Sequence, residues 1–321
     1  MELSIIIVNF NSMKYLLECV ASIYEWTCGL QFEILVVDNA SPNRDIDQLK
    51  AHFADVRLIQ SSHNLGFAGA NNVGFQHSTG EFVVFLNPDT CLISPAFSVM
   101  IETARALKDL GVVGCRLLNT DLSIQTSSVM KFPTIMNSIL QVEHFRLKVP
   151  SLFGIGPLFS DKPGPVSVEA ISGACMLLPR SVFVSVGMFD EQYFMYSEDV
   201  DLCYKVAKAG LKAYYCGDVS IVHHGGKTSP PTWQTVMKTK AELRFLEKVH
   251  GRLYRSLFQI AAAINASSRW AIFRAGVGLL QMCGKPDCER AREKAAKWSA
   301  VWNTVVRTHP IRRVCSSPPG G

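Results

Sequence analysis

No Cys-x-x-Cys pair occurs among the ten cysteines of this 321-residue chain, and no histidine stands at zinc-finger spacing from them. A zinc ribbon or finger is excluded, and the scatter from Cys19 to Cys315 does not suit a disulfide framework. No basic segment precedes the first apolar run, Ile5-Ile6-Ile7-Val8. A secretory leader is therefore not expected, and the thiols are expected to be reduced in the cytosol. In the last quarter the longest uncharged run is Ser256–Ser268, 13 residues, short of the about 20 that a membrane span needs. Neither G-x-G-x-x-G nor G-x-x-x-x-G-K-[ST] occurs, so the usual dinucleotide and P-loop readings fail. There is no internal repeat.

What is present is apolar and patterned. Hydrophobic residues make up 48% of the chain, enough for a sizeable core. The net charge of +5 hides an asymmetry. From residue 237 onward there are 16 Lys and Arg against 5 Asp and Glu; the first 236 residues hold 16 against 22. An acidic body thus carries a basic C-terminal quarter, which suits an anionic surface, lipid headgroups or nucleic acid, or else a solvated helix face.

Strand-like runs at Leu3–Val8, Phe32–Val37, Val56–Gln60 and Glu81–Leu86 alternate with helix patterns. One helix follows Ser12, with Leu16, Leu17, Val20 and Ile23 on its apolar face. Others are expected over Gly69–His77 and Ser94–Leu107. Such alternation predicts an α/β fold, a mostly parallel sheet sandwiched by helices. Ligands then sit beyond the carboxyl ends of the strands. Residues 119–167, with five prolines, read as a long excursion over a binding site. Order returns at Val168–Leu178, a helix at Glu198–Ala209 and a strand at Lys212–Cys216. From about Thr232 the pattern is helical, and Cys315–Gly321 reads as disordered. The division is a catalytic domain over 1–236 (nucleotide side 1–118, acceptor side 119–236) and a basic helical extension over 237–321.

Polar groups fall where strands should end: Asn9, Asp38, and Asn87-Pro88-Asp89. Turn chemistry alone could place any one of them, but not so easily three on one rim. Between them runs Asn64-Leu65-Gly66-Phe67-Ala68-Gly69-Ala70-Asn71, a glycine-rich stretch opening a helix and permitting close backbone approach to a phosphate. Ser197-Glu198-Asp199-Val200-Asp201 reads as a capped helix start, yet three carboxylates within four residues repel unless a cation or a proton-transfer task rewards them. His223-His224-Gly225-Gly226 follows an apolar strand and offers a metal ligand.

The ordered set IVNFNS, VVDNAS, NLGFAGANNVG, LNPDT, SGACMLLPR, FDEQYFMYSEDVDLCYK and HHGGKTS resembles glycosyltransferase family 2, the inverting enzymes of the GT-A fold, and within it the rhamnosyltransferase-like subgroup. The resemblance spans roughly residues 3–250. It implies a Rossmann-like GT-A domain that moves a sugar from a nucleotide-sugar to a hydroxyl. By that resemblance Val8, Asn9 and Asp38 hold the base and ribose, and Asn64, Gly66 and Asn71 line the nucleotide. Asn87 touches ribose or a metal-bound water. Asp89 and His223 bind Mg²⁺ or Mn²⁺, His224 being the less favoured choice. Ser172-Gly173-Ala174 lies near donor sugar and acceptor, and Asp199 is the catalytic base with Glu198 beside it. Ala170-Ile171 stands where the subgroup often has Trp, and Lys205 where it often has Arg.

The implied donor is dTDP-L-rhamnose first and a UDP-sugar second. The implied acceptor is a glycan or polyprenyl-diphosphate-linked saccharide in cell-surface polysaccharide synthesis. Nucleic acid is not an expected partner, and no oligomeric state is implied. A cytoplasmic protein, peripheral on the inner face of the membrane, would fit a basic amphipathic stripe of Leu253, Leu257, Ile260, Ala261 and Ile264, continued by Trp270, Phe273, Val277 and Leu280. The other reading packs that stripe on the catalytic domain or a second subunit. Two alternatives of other classes stay open: a sugar nucleotidyltransferase, which would carry an Arg-containing glycine-rich loop where Asn9-Phe10-Asn11-Ser12 stands, and a non-catalytic glycan-binding scaffold.

Overall fold

A computed structural model describes residues 1–43, 45–139, 147–160, 163–225, 230–282 and 288–307. Gly226–Ser229 of the last motif, parts of the proline-rich excursion and the C-terminal Cys315–Gly321 lie outside the described residues, as does the side chain of Leu280.

The chain divides into two compact units. The first comprises Met1–Phe132, Arg146–Phe194 and Glu198–Thr228; the second comprises Pro133–Phe145, Met195–Ser197 and Ser229–Gly321.

In the first unit the elements alternate: β1 (Leu3–Asn9), α1 (Met13–Trp26), β2 (Phe32–Asp38), α2 (Asp47–His52), β3 (Arg57–Gln60), α3 (Gly66–Gln76), β4 (Phe82–Leu86), β5 (Thr90–Leu92), α4 (Ala96–Ala106) and β6 (Leu110–Leu118). After β7 (Val129–Met130) the second unit's α5 (Ile135–Ile139) intervenes. Then follow β8 (Pro165–Val168), β9 (Ala170–Ile171), β10 (Cys175–Pro179), α6 (Arg180–Ser185), α7 (Glu198–Lys208) and β11 (Lys212–His223).

One sheet runs β3-β2-β1-β4-β10-β6-β11-β5, with β8 also on β11. β3, β2, β1 and β4 are parallel neighbours. β10 enters antiparallel between β4 and β6. Every residue of β1 is buried, as expected for a strand covered on both faces. Leu3, Ile5 and Ile7 share one cluster with Leu16, Val20 and Ile23 of α1 and Phe97 and Met100 of α4. On the other face Val8 and Val37 pack on Ala70 of α3. The period of two in the strands and of 3.6 in the helices therefore fixes which face each helix covers.

Several boundaries differ from those expected. α3 starts at Gly66 rather than Gly69, so Gly66, Phe67 and Ala68 join Asn71 inside the helix. Ser12 makes no side-chain cap on α1; its hydroxyl donates to Asn9 Oδ1 at 2.9 Å instead. The ordered run 168–178 is two strands, β9 and β10, broken at Ser172-Gly173-Ala174. β11 continues seven residues past Cys216 through irregular pairing with β6, which carries His223 to the rim.

The second unit holds α8 (Pro231–Met282), in which Gly251 (φ 86°, ψ 174°) breaks one helix into two, and α9 (Cys288–Arg307). Arg269 lies over the Trp298 ring at 4.7 Å, and Gln259 Nε2 donates to the Val305 carbonyl at 2.8 Å, joining α8 to α9.

Candidate active site

Parallel register puts Asn9 beside Asp38 and Ile7 beside Leu86, so β1, β2 and β4 end together. Asn9 is fully buried, and its Nδ2 donates to Asp38 Oδ1 at 2.9 Å. Ser41 Oγ donates to the same oxygen at 2.6 Å. Val8 is different in kind: its side chain belongs to the apolar cluster beneath the rim.

Asn39, which the sequence reading passed over, ties the next segment down. Its Nδ2 donates to Asn64 Oδ1 (2.9 Å) and the Gly66 carbonyl (3.2 Å), while its Oδ1 accepts from Leu65 N–H (2.8 Å). Asn64 Oδ1 also accepts from Gly66 N–H at 2.9 Å. Gly66 has φ +74°, and a Cβ there would meet the Phe194 carbonyl oxygen at 2.3 Å. Only glycine satisfies both conditions. Phe67 N–H donates to that carbonyl at 2.8 Å, so the glycine-rich segment is clamped to the stretch that precedes α7. Asn71 Nδ2 bonds back to the Phe67 carbonyl; its buried Oδ1 has no hydrogen-bond partner.

Asp89 and His223 meet at the other end of the rim. His223 pairs with Thr90 across β11 and β5, which brings its Nε2 to 3.3 Å from Asp89 Oδ1 and 3.2 Å from Asn87 Nδ2. Burial raises the Asp89 pKa, but the neighbouring His223 ring more than offsets it, and the carboxyl lies below its ordinary value. His224 faces elsewhere, with Nδ1 at 3.1 Å from Thr120 Oγ1 and its ring tilted on Tyr15.

β10 links that pair to the carboxylates of α7. Asn87 N–H donates to the Ala174 carbonyl at 3.0 Å, and Gly173 N–H donates to Asp199 Oδ2 at 2.8 Å. A Cβ on Gly173 would lie 3.2 Å from Asp199 Cβ, tighter than ordinary packing, so a small residue suits the contact. Asp199 Oδ1 accepts from Val200 N–H at 2.8 Å. Ser172 Oγ accepts from Ala174 N–H at 3.3 Å and closes the turn.

The three neighbouring carboxylates separate by environment. Asp201, fully buried, is met by Tyr193 OH at 3.4 Å and Lys205 Nζ at 3.8 Å. Glu198 is buried with Oε2 unpartnered, and burial, with Asp199 and Asp201 nearby, pushes its carboxyl well above the usual range. Asp199 is half-buried and held by two backbone donors. The repulsion expected from sequence is thus relieved at Glu198 by burial, which favours its protonated form, and at Asp201 by the Lys205 cation.

The family model described as Glycosyl transferase family 2 matches residues 4–159, the part that builds this rim as far as Asp89. The chain carries a glycosyl transferase family 2 domain. It is a glycosyltransferase. It is 28% identical over 228 residues to the low-salt glycan biosynthesis hexosyltransferase Agl10 of Haloferax volcanii, 70% of this chain and 67% of that protein. It is 25% identical over 248 residues to the N-acetylglucosaminyl-diphospho-decaprenol L-rhamnosyltransferase of Mycobacterium tuberculosis, 70% of this chain and 77% of that protein. The fold is GT-A: a mannosyltransferase of Pyrobaculum calidifontis, solved with GDP-Man and Mn²⁺, superposes with a TM-score of 0.60 at 16% identity, covering 95% of this chain and 86% of that one.

No group of three or more His, Cys, Asp or Glu converges on one point among the described residues. The glycosyltransferase rim instead offers a pair. A neutral His223 ring protonated at Nδ1 would face Asp89 with the Nε2 lone pair, and a cation between the two acceptors, 3.3 Å apart, would satisfy both. One carboxylate and one imidazole suit Mg²⁺ or Mn²⁺, the nitrogen favouring Mn²⁺. A diphosphate would complete such a shell. All seven described cysteines are free. Cys19 supports the Asn87–Thr90 turn from below, and burial pushes its thiol up to about 12, so it stays protonated there.

Proposed function

We propose that this glycosyltransferase moves a sugar, L-rhamnose from dTDP-L-rhamnose or a hexose from a UDP-sugar, onto a hydroxyl of a polyprenyl-diphosphate-linked saccharide or related glycan, with inversion. The observation that carries the reading is the short path Asp199–Gly173-Ala174–Asn87 beside Asp89–His223. On this reading a proton-accepting carboxylate and a diphosphate-binding pair would flank one space. Asn9, Asp38 and the Asn64–Asn71 segment would hold base and ribose, with the Asn39 bonds keeping that segment in place. Asp89 and His223 would hold the divalent ion, which when bound offsets the charge on the departing nucleoside diphosphate.

Asp199 does the acid–base work. The acceptor oxygen bonds to C1 as the C1–O bond to the diphosphate breaks, the bonding pair leaving with the phosphate oxygen. The acceptor proton passes to Asp199, whose two oxygens are aimed by Gly173 and Val200 N–H. One in-line displacement inverts the anomeric centre. Glu198, carrying its own proton, is a neutral neighbour that keeps a second charge away from the base.

A polyprenyl acceptor calls for a membrane surface. Leu253, Leu257, Ile260 and Ile264, all at least half exposed, repeat at helical spacing along one face of α8 after its kink. Between Glu247 and Asp287 the sequence has no acidic residue, while Lys248, Arg252, Arg255, Arg269, Arg274 and Lys285 are basic. Arg252 and Arg255 pair with Glu247, but the basic excess of the stretch that follows still matches anionic headgroups better than a second copy, which would set like charges together. No helix among the described residues is long and apolar enough to cross a membrane, so the proposed contact is peripheral, on the cytoplasmic face.

The test is a panel of nucleotide-sugars assayed for diphosphate release with a lipid-linked acceptor, before and after chelation. One donor should be turned over, EDTA should abolish transfer, and Mn²⁺ or Mg²⁺ should restore it. Binding of nucleotide without release for any donor would overturn the enzymatic reading in favour of a scaffold.

A further inference from the structure

Gln125 lies in none of the motifs, yet it is bonded to His223 twice. Its Oε1 is 2.9 Å from His223 Nδ1, and its Nε2 donates to the His223 backbone carbonyl. The second bond fixes the amide. A carbonyl can only accept, so the nitrogen end of the side chain must face it and the oxygen end must face the ring. Oxygen likewise only accepts, so Nδ1 must carry a proton. In the neutral ring the lone pair then lies on Nε2. Asn87 agrees from the other side: its Nδ2, a donor, sits 3.2 Å from Nε2 and needs a lone pair there.

The Gln125 backbone is held as firmly as its side chain. Gln125 N–H donates to the Leu117 carbonyl at 2.9 Å, at the end of β6. Its own carbonyl accepts from Ser128 Oγ at 2.7 Å, and that hydroxyl accepts from Leu117 N–H at 3.1 Å. Ser128 in turn offers its carbonyl to Ser172 N–H at 3.2 Å, beside the turn that holds Asp199. The segment after β6 therefore spans from the His223 ring to the Ser172-Gly173-Ala174 turn.

We propose that Gln125 is a positioning residue that selects the Nδ1–H form of His223 and so presents Nε2 to a divalent cation shared with Asp89. The proposal rests on the reading of His223 as a metal ligand. Outer groups of this kind typically change metal affinity by 10–100-fold when removed.

The test measures Mn²⁺ binding directly, by the loss of the free-ion EPR signal in the presence of saturating dTDP or UDP, on full-length protein. Three variants are compared with wild type, each checked for an unchanged melting temperature. Gln125→Leu keeps the volume and removes the acceptor; it should weaken Mn²⁺ binding about 10–100-fold. Gln125→Glu keeps an acceptor at Nδ1 and should bind within a few-fold of wild type. His223→Ala should lose at least as much affinity as Gln125→Leu. Wild-type binding by Gln125→Leu alongside loss in His223→Ala would overturn the role of Gln125 and leave the metal reading intact. Wild-type binding by both would overturn His223 as a ligand, and the proposal with it. Equal loss in Gln125→Leu and Gln125→Glu would show that packing, not the acceptor, matters, and would also overturn it.

Discussion

The rim of the catalytic unit and the exposed face of α8 break the inside–outside rule in opposite directions. At the rim, Asn9, Asp38, Asn39, Asn71, Asp89 and Glu198 are all buried polar residues. Along α8, Leu253, Leu257, Ile260 and Ile264 are exposed apolar ones. Neither arrangement serves stability by itself. Burying a polar group costs free energy unless it is bonded, and exposing a row of Leu and Ile forgoes burial that folding could have gained. Apart from Asn71 Oδ1 and Glu198 Oε2, which have no partner, the rim answers its cost with hydrogen bonds such as those of Asn9, Asp38 and Asn39. The α8 face has no such answer within the described residues, which is what the proposed membrane contact would supply.

The largest effect expected is at the rim. Asp199→Asn should bind nucleotide normally and lose about 10²–10⁴ in kcat, the usual worth of a general base. Glu198→Gln, one residue away, should keep most of its turnover, since an amide mimics a protonated acid. Equal loss in the two variants, measured as kcat, would remove the distinction drawn between them.

Stability should separate them as well. The Glu198 carboxyl is raised above 4.5 in the folded protein. Folding is therefore unpenalised below that pH and loses stability as pH rises towards the raised value, because the unfolded chain ionises first. Melting temperatures taken from pH 4 to 8 should show Glu198→Gln gaining on wild type as pH increases. A gap that does not change with pH would mean Glu198 is not held neutral.

Next in size is the clamp on the glycine-rich segment. Gly66→Ala adds a Cβ against the Phe194 carbonyl at a positive φ and should cost about 1–3 kcal/mol. Thermal unfolding reads this directly, and nucleotide affinity should fall with it. A variant as stable as wild type would mean the clamp yields.

The smallest single effects belong to α8. Leu257→Ser and Ile260→Ser should each remove ~1 kcal/mol of transfer into an apolar phase, about fivefold in partition onto anionic vesicles. Flotation checks this, with nucleotide binding unchanged. Equal flotation on neutral and anionic vesicles would remove the charge argument. A dimer in solution that dissociates in Ile260→Ser would transfer the face from lipid to a second copy.

Much of the rim was legible because it depends on local rules. Apolar runs of period two announced β1, β2 and β4, and the polar residues at their ends followed from where parallel strands stop. Asn9, Asp38, Asn87 and Asp89 fall on one edge in the structure as that pattern requires. Gln125 and Asn39 could not be found in that way. Gln125 lies in a segment with no period, 98 residues from the histidine it holds, and only the extension of β11 along β6 brings them together. Nothing in its own segment marks Asn39, because its partners, Asn64 to Gly66, lie some 25 residues further along the chain.

The carboxylate cluster divides the two kinds of knowledge most clearly. Its composition, three acids in the first turn of a helix, was fixed by the chain alone, and with it the need for relief from repulsion. Which acid keeps a proton, which takes a lysine and which faces the Gly173 turn was decided by packing, because burial and distance set the energy of a charge and neither is written in the order of residues. The same holds for α8: amphipathic periodicity is a local property, whereas the side left uncovered depends on where α9 lies.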